Sequence, residues 1–233
     1  VKSVAITYTN NDYGKGLADV YAAAVKAHGI KVTAVESHED GKADYSAEVA
    51  TLASAGGDAV AVIGYLDQGG KGIIQGSLDS GAFDKFILSD GMIGQSLVDA
   101  FGKGLSKSFG SLPGSTGKGA GVFAKVASAG GIDSSGPYTG ESYDAAALIV
   151  LAMQAGGSAD RASIAKNVMA VANAPGKKIY PGQLKKALDL LAKGKAVDYE
   201  GATGVTFTDV GEAEGSFLEK EIKGGKFKTK KQR

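Results

Sequence analysis

The sequence predicts an α/β protein: a doubly wound parallel sheet forming one lobe, followed by helices that belong to a second lobe. Three observations predict it. Between residues 1 and 110, short apolar runs alternate with helical patterns in a β-α-β-α-β-α-β-α order. The run Ala59–Ile63 is apolar throughout, as a parallel strand covered on both faces is. Beyond residue 110 the helical patterns continue while strands almost vanish, so those helices are expected to cover a sheet supplied by other sequence.

The first strand is expected at Val4, Ala5, Ile6 and Tyr8, bounded by the polar turn Thr9-Asn10-Asn11-Asp12. Leu17, Val20, Tyr21, Ala24 and Val25 then recur at helical spacing, and His28-Gly29 closes that helix. Residues 31–35 alternate like a strand. Asp44 is the expected N-cap of a helix carrying Tyr45, Val49 and Leu52 on one face and ending at Gly56-Gly57. A third strand spans 58–64, a glycine-containing helix 68–80, a fourth strand 86–89 and a short helix 93–101. Residues 110–121 have the Gly, Ser and Pro composition of a linker. Helices follow at 122–129, 140–155, 160–172 and 183–192. An antiparallel pair is expected between 204–207 and 216–218.

Composition excludes several classes of function. Hydrophobic residues make up 43% and charged residues 22%, ordinary values for a globular domain. A net charge of +1 gives no whole-chain signal for nucleic acid or membrane partners. Charge is uneven, however: residues 1–110 carry 9 Lys/Arg against 13 Asp/Glu, leaving 17 against 12 beyond. Part of that basic excess lies in 226–233, which reads as a frayed, solvated terminus. Without cysteine there is no disulfide, thiolate metal site or cysteine nucleophile. Val1 falls inside a strand pattern with neither an initiator Met nor a charged leader, which suggests a processed chain or a fragment.

Familiar catalytic and cofactor motifs fail on inspection. Gly14-Lys15-Gly16 is followed by Asp19 where a dinucleotide fingerprint needs glycine. Gly117-Lys118 lacks both the leading glycine and the Ser/Thr of a P-loop. Neither His28 nor His38 has a second metal ligand at helical spacing. Ser163-Ile164-Ala165-Lys166 fits SxxK but has none of its companion motifs. No cofactor and no metal are expected.

Parallel sheets bind ligands beyond the carboxyl ends of their strands. Tyr13, Tyr65 and Asp90 follow the first, third and fourth strands, and together they make a pocket of two phenols and one carboxylate. A carboxylate suits an ammonium, and tyrosine faces wall a cation or an apolar side chain. Each residue also has a structural reading: Tyr13 as a hydrophobic staple, Tyr65 as a core aromatic, Asp90 as an N-cap. A third possibility is a small α/β enzyme using Asp90 with Asp67 or Asp12.

Six motifs occur in order: Asp12-Tyr13-Gly14-Lys15-Gly16, Asp44-Tyr45-Ser46, Gly64-Tyr65, Ser89-Asp90-Gly91, Glu141-Ser142-Tyr143-Asp144-Ala145 and Tyr199-Glu200-Gly201-Ala202-Thr203-Gly204. The chain thereby resembles the type I periplasmic binding proteins of the leucine/isoleucine/valine-binding group. That resemblance implies a non-catalytic receptor that closes two lobes on an amino acid and delivers it to the membrane permease of an ABC importer. The alternative within the fold is a receptor for amides, urea or aromatic acids. It implies that 1–110 and 212–233 belong to the second lobe and that 111–211 return to a first lobe. The strands of that first lobe are then missing, absent altogether or supplied as a separate chain. It also implies a periplasmic location, or an extracytoplasmic one held by a lipid anchor. Tyr13 and Tyr65 match the family's second-lobe tyrosines, and Asp90 matches its ammonium-binding acid, which is Glu in some members.

Overall fold

Val60 and Val62 are buried on one face of a sheet, while Ala61 and Ile63 are buried on the other. That alternation defines a layer covered on both sides, and it repeats at Ala5 against Val4 and Ile6. The computed structural model describes all 233 residues. They divide into two compact units, Val1–Leu112 with Glu219–Lys231, and Pro113–Leu218 with Gln232–Arg233.

The first unit contains β1 (Ser3–Thr9), α1 (Asp12–Ala27), β2 (Lys31–His38), α2 (Ser46–Ala55), β3 (Ala59–Ile63), α3 (Lys71–Ser80), β4 (Phe86–Leu88), α4 (Gln95–Phe101) and most of β5 (Phe109–Pro113). Neighbouring strands among these five pair in parallel, in the order β5-β4-β3-β1-β2. The chain runs outward from β1 to β2, then crosses back over β1 to β3 and continues toward β5. Direction therefore reverses between β1 and β3, which puts α1 on one face and α2, α3 and α4 on the other.

The sequence reading places these elements well but misjudges their margins. Residues 68–80 are not one helix: a π-helical turn, Leu66–Gly70, precedes α3. Likewise Asp90–Met92 form a 3-10 turn before α4. Tyr45, not Asp44, occupies the N-cap position of α2, because the Asp44 carboxylate instead accepts from the Ser46 amide and hydroxyl. Residues 110–113 are strand and not linker. Gly110 sits there because a Cβ would lie 2.5 Å from the Leu88 carbonyl oxygen, so its role is close approach between strands.

The tail expected to fray is also strand. Here β10 (Phe217–Lys223) turns through Gly224-Gly225 into β11 (Lys226–Gln232), and the pair extends the sheet beyond β5. Reciprocal hydrogen bonds between Phe217 and Arg233 mark the pair as antiparallel. Alternation decides the matter: Phe227 packs on the core while Lys226, Lys228 and Lys230 face outward. Outward lysines on an edge strand discourage pairing with other chains, which is why they resemble a disordered tail in sequence.

The second unit holds α5 (Lys118–Ala129), α6 (Thr139–Gly156), α7 (Arg161–Ala172), β6 (Lys177–Ile179), α8 (Leu184–Leu191), β7 (Val197–Tyr199), β8 (Thr206–Phe207) and β9 (Ala213–Glu214). The strands missing from the sequence reading are β6 and β7, a parallel pair of three residues each, too short to show periodicity. The expected pairing of 204–207 with 216–218 is corrected as well, because β8 pairs with β9. Leu148 and Leu151 of α6, Val171 of α7, Ile179, Val197 and Tyr199 form this unit's own core.

Candidate functional site

Tyr13 is the second residue of α1, so the helix and not a free loop holds it. Asn11 caps that helix by accepting from the Gly14 amide at 2.9 Å. Gly14 is required next to Tyr13: a Cβ there would stand 2.0 Å from the Thr9 carbonyl oxygen. The helix start is thus pressed against the end of β1, and Tyr13 is directed along the carboxyl edge of the sheet.

The structure brings the three sequence-predicted residues together. The rings of Tyr13 and Tyr65 stack with centroids 5.4 Å apart and planes 30° apart. The Tyr13 hydroxyl donates to Asp90 Oδ1 at 2.8 Å and lies 3.1 Å from Ser89 Oγ. Ser89 Oγ in turn accepts from the Gly64 amide at 3.3 Å. The phenol has one proton and directs it to Asp90, so its oxygen accepts the Ser89 hydroxyl proton. A hydrogen-bonded chain thus links the ends of β3, β4 and the start of α1. Burial, with the Asp90 carboxylate beside it, pushes the Tyr13 phenol well above its usual range, against the Ser89 contact that favours the phenolate. Tyr13 therefore remains a donor at any working pH. The sequence reading did not assign Ser89 a role, although its place beside Asp90 at a strand end was a visible cue.

The cluster lies beyond the carboxyl ends of the neighbouring strands β1 and β3, where the strand order reverses. Ligands of doubly wound sheets bind in that crevice. Chemically it offers an aromatic wall and an oriented carboxylate, which suit a cation attached to an apolar body.

In the second unit, two of the sequence motifs meet at one carboxylate. Asp144, 2% exposed, accepts from the Tyr199 hydroxyl, the Ala202 amide, and both the amide and hydroxyl of Thr203, all at 2.8–2.9 Å. Gly201, at φ 56°, passes so close that a Cβ would lie 2.3 Å from Asp144 Oδ1. Four donors fully satisfy this buried charge, so its work is architectural.

Residues 1–209 match the family described as periplasmic binding protein. The chain belongs to that family. Members of the periplasmic binding protein family are solute-binding proteins and not enzymes. Among curated relatives, the Leu/Ile/Val-binding protein homolog 1 of Brucella melitensis is 31% identical over 166 residues, 70% of this chain and 44% of that protein. An amino acid binding protein of Pseudomonas aeruginosa is 28% identical over 170 residues, 71% and 45% of the respective chains. The chain thus spans less than half the length of these relatives.

Solved structures show the same fold. The leucine binding protein LivK of Thermotoga maritima superposes with a TM-score of 0.76 at 20% identity, covering 99% of this chain and 60% of that one. The branched-chain amino acid transporter substrate binding protein LivJ of Streptococcus pneumoniae, solved with isoleucine, gives 0.70 at 18% identity, covering 100% and 59%. This family membership removes the small-enzyme reading. Asp67, once a partner for Asp90 in that reading, is 77% exposed and ion-paired with Lys71 at 2.6 Å.

Proposed function

We propose that this chain contributes Tyr13, Tyr65 and Asp90 to the binding of an amino acid by an extracytoplasmic receptor that supplies an ABC permease. The supporting observation is the stacked pair Tyr13–Tyr65 at the crevice, with the Tyr13 hydroxyl fixed on the Asp90 carboxylate. Asp90 receives the ligand ammonium, and the tyrosine faces line its side chain. In this reading residues 1–110 with 212–233 form one lobe, and 111–211 run to another that holds the ligand carboxylate. Residues 111–211 are the part of that lobe present here, and other sequence completes it. Closure is then a population shift, since a ligand favours the closed form only through contacts on both sides. The relatives' names favour a branched apolar side chain, for which a tyrosine-walled pocket is suited.

A thermal-shift series with the standard amino acids, urea and benzoate, run on this chain joined to sequence that completes the other lobe, tests this reading. A ligand at about 10 mM with a Kd of about 1 mM stabilises by about 1.4 kcal/mol, a measurable rise in Tm. The expected result is stabilisation by a branched-chain amino acid that Asp90→Asn removes while the unliganded Tm is little changed. Stabilisation by urea or benzoate alone would redirect the assignment to amides or aromatic acids. Stabilisation by an amino acid that survives Asp90→Asn would overturn the role given to Asp90.

A further inference from the structure

Beneath the Tyr65 turn lies a histidine that the proposed site does not use. His38, the last residue of β2, is 1% exposed. Its Nδ1 lies 2.8 Å from the Thr7 hydroxyl, whereas its Nε2 is buried without a hydrogen-bond partner. The ring presses against both ends of the Tyr65 segment. A Cβ on Gly64 would lie 3.1 Å from His38 Nε2, and one on Gly69 would lie 3.0 Å from Cδ2. Tyr45 meets the ring edge-on at 6.2 Å, and its hydroxyl reaches the carbonyls of Glu39 and Gln68 at 3.0 and 2.9 Å. The Gly41 amide adds a bond to the same Gln68 carbonyl. His38 is therefore a wedge on which the turn Leu66–Gly70 rests, and that turn carries Tyr65.

We propose that His38 is the positioning residue for Tyr65, supporting the turn as a neutral imidazole and releasing it when protonated, so that ligand grip weakens on acidification. The ligand part rests on the reading of Tyr65 as a binding residue; the support of the turn does not. A protonated ring carries two N–H donors. Thr7 can accept one, but no acceptor is placed at Nε2, so the charge would be buried half-satisfied.

Carboxylates surround the His38 ring. On its own side stand Glu39 and Asp40, the latter accepting from Thr9 at 2.6 Å. Glu48 of α2 is ion-paired through Oε1 with Lys42, which also sits over the Tyr45 ring, while its Oε2 is buried without a hydrogen-bond partner. Asp67 in the turn is paired with Lys71, and β1 contributes only neutral threonines. These carboxylates favour the imidazolium, yet burial outweighs them and holds His38 below its ordinary value. A depressed base binds its proton more readily wherever the ring reaches water. As pH falls below about 6.5, opening of the turn is therefore favoured by about tenfold per unit, until the native ring itself protonates.

The test is amide hydrogen exchange of residues 64–70, corrected for intrinsic rates, on the full chain between about pH 7.5 and 5.5, alongside NMR titration of both histidines. The expected result is a loss of protection at the turn of about tenfold per unit below 6.5. It should persist in His28→Gln, since that histidine is an exposed cap, and disappear in His38→Gln. An equal loss in His38→Gln, or an equal loss throughout β3 and α1, would overturn the proposal. Should His38→Gln fail to fold, Thr7→Val decides instead. Removing the acceptor at Nδ1 should lower the native His38 titration midpoint and extend the loss of protection to correspondingly lower pH while its onset stays near about 6.5, and a loss that levels off at an unchanged pH overturns the proposal. L-Isoleucine affinity over the same range, measured on the chain joined to sequence that completes the other lobe, provides the second arm. A loss on acidification that His38→Gln abolishes supports the coupling, and pH-independent affinity overturns it. If isoleucine does not bind at any pH, the amino-acid reading fails while the exchange data still judge the support of the turn.

Discussion

Asp144 shows how much one side chain can organise. Its two oxygens take four donors from residues 55–59 positions downstream, two of them backbone amides. Asp144→Ala should lower stability by about 3 kcal/mol or more, since buried donors left unpaired cost about 1–3 kcal/mol each. Urea unfolding followed by circular dichroism is the suitable measurement, the chain having no tryptophan. Tyr13→Phe tests the other carboxylate. It deletes the donor on Asp90 Oδ1 while keeping the stack with Tyr65, and should weaken amino-acid binding about tenfold by calorimetry. At this scale the sequence showed which residues stand at strand ends, because that follows from chain order. It did not show that Asp144 and Thr203 touch, or that His38 is buried. Both depend on packing between segments distant in sequence, which periodicity does not encode.

Within α1, two glycines two residues apart have opposite meanings. Gly14 is pressed on the Thr9 carbonyl, whereas a Cβ on Gly16 meets nothing within 4 Å. Gly14→Ala should therefore cost about 1–3 kcal/mol and displace Tyr13, as overpacking does. Gly16→Ala should stabilise by about 0.5–1 kcal/mol, because alanine is the better helix former at an unobstructed position. Thermal unfolding of the two variants checks both signs. Long or strongly apolar elements were legible in advance: α1 and α6 have many turns, and β3 is buried at every position. What escaped were β6 and β7 at three residues each, and β11, whose lysines disguised its alternation. Brevity and charge hide a strand from a reading based on hydrophobic pattern.

Across the whole molecule, the two units have separate cores, one around β3 with α1–α4 and one around α6 with β6 and β7. Separate cores unfold with partial independence, so the van't Hoff enthalpy should fall below the calorimetric enthalpy in scanning calorimetry. Equality of the two would mean that the units unfold as one. The order of the large sheet has a further bearing on biosynthesis. Strand β5 is complete by residue 113, but its outer neighbour β10 begins only at residue 217. During translation, at about 5–20 residues per second, β5 waits roughly 5–20 s for that partner. Throughout this interval the nascent sheet presents an open edge, and Phe109 is among the residues along it. A ribosome paused in α6 or α7 would prolong that exposure, so the second unit's codons set how long the first must remain guarded against aggregation.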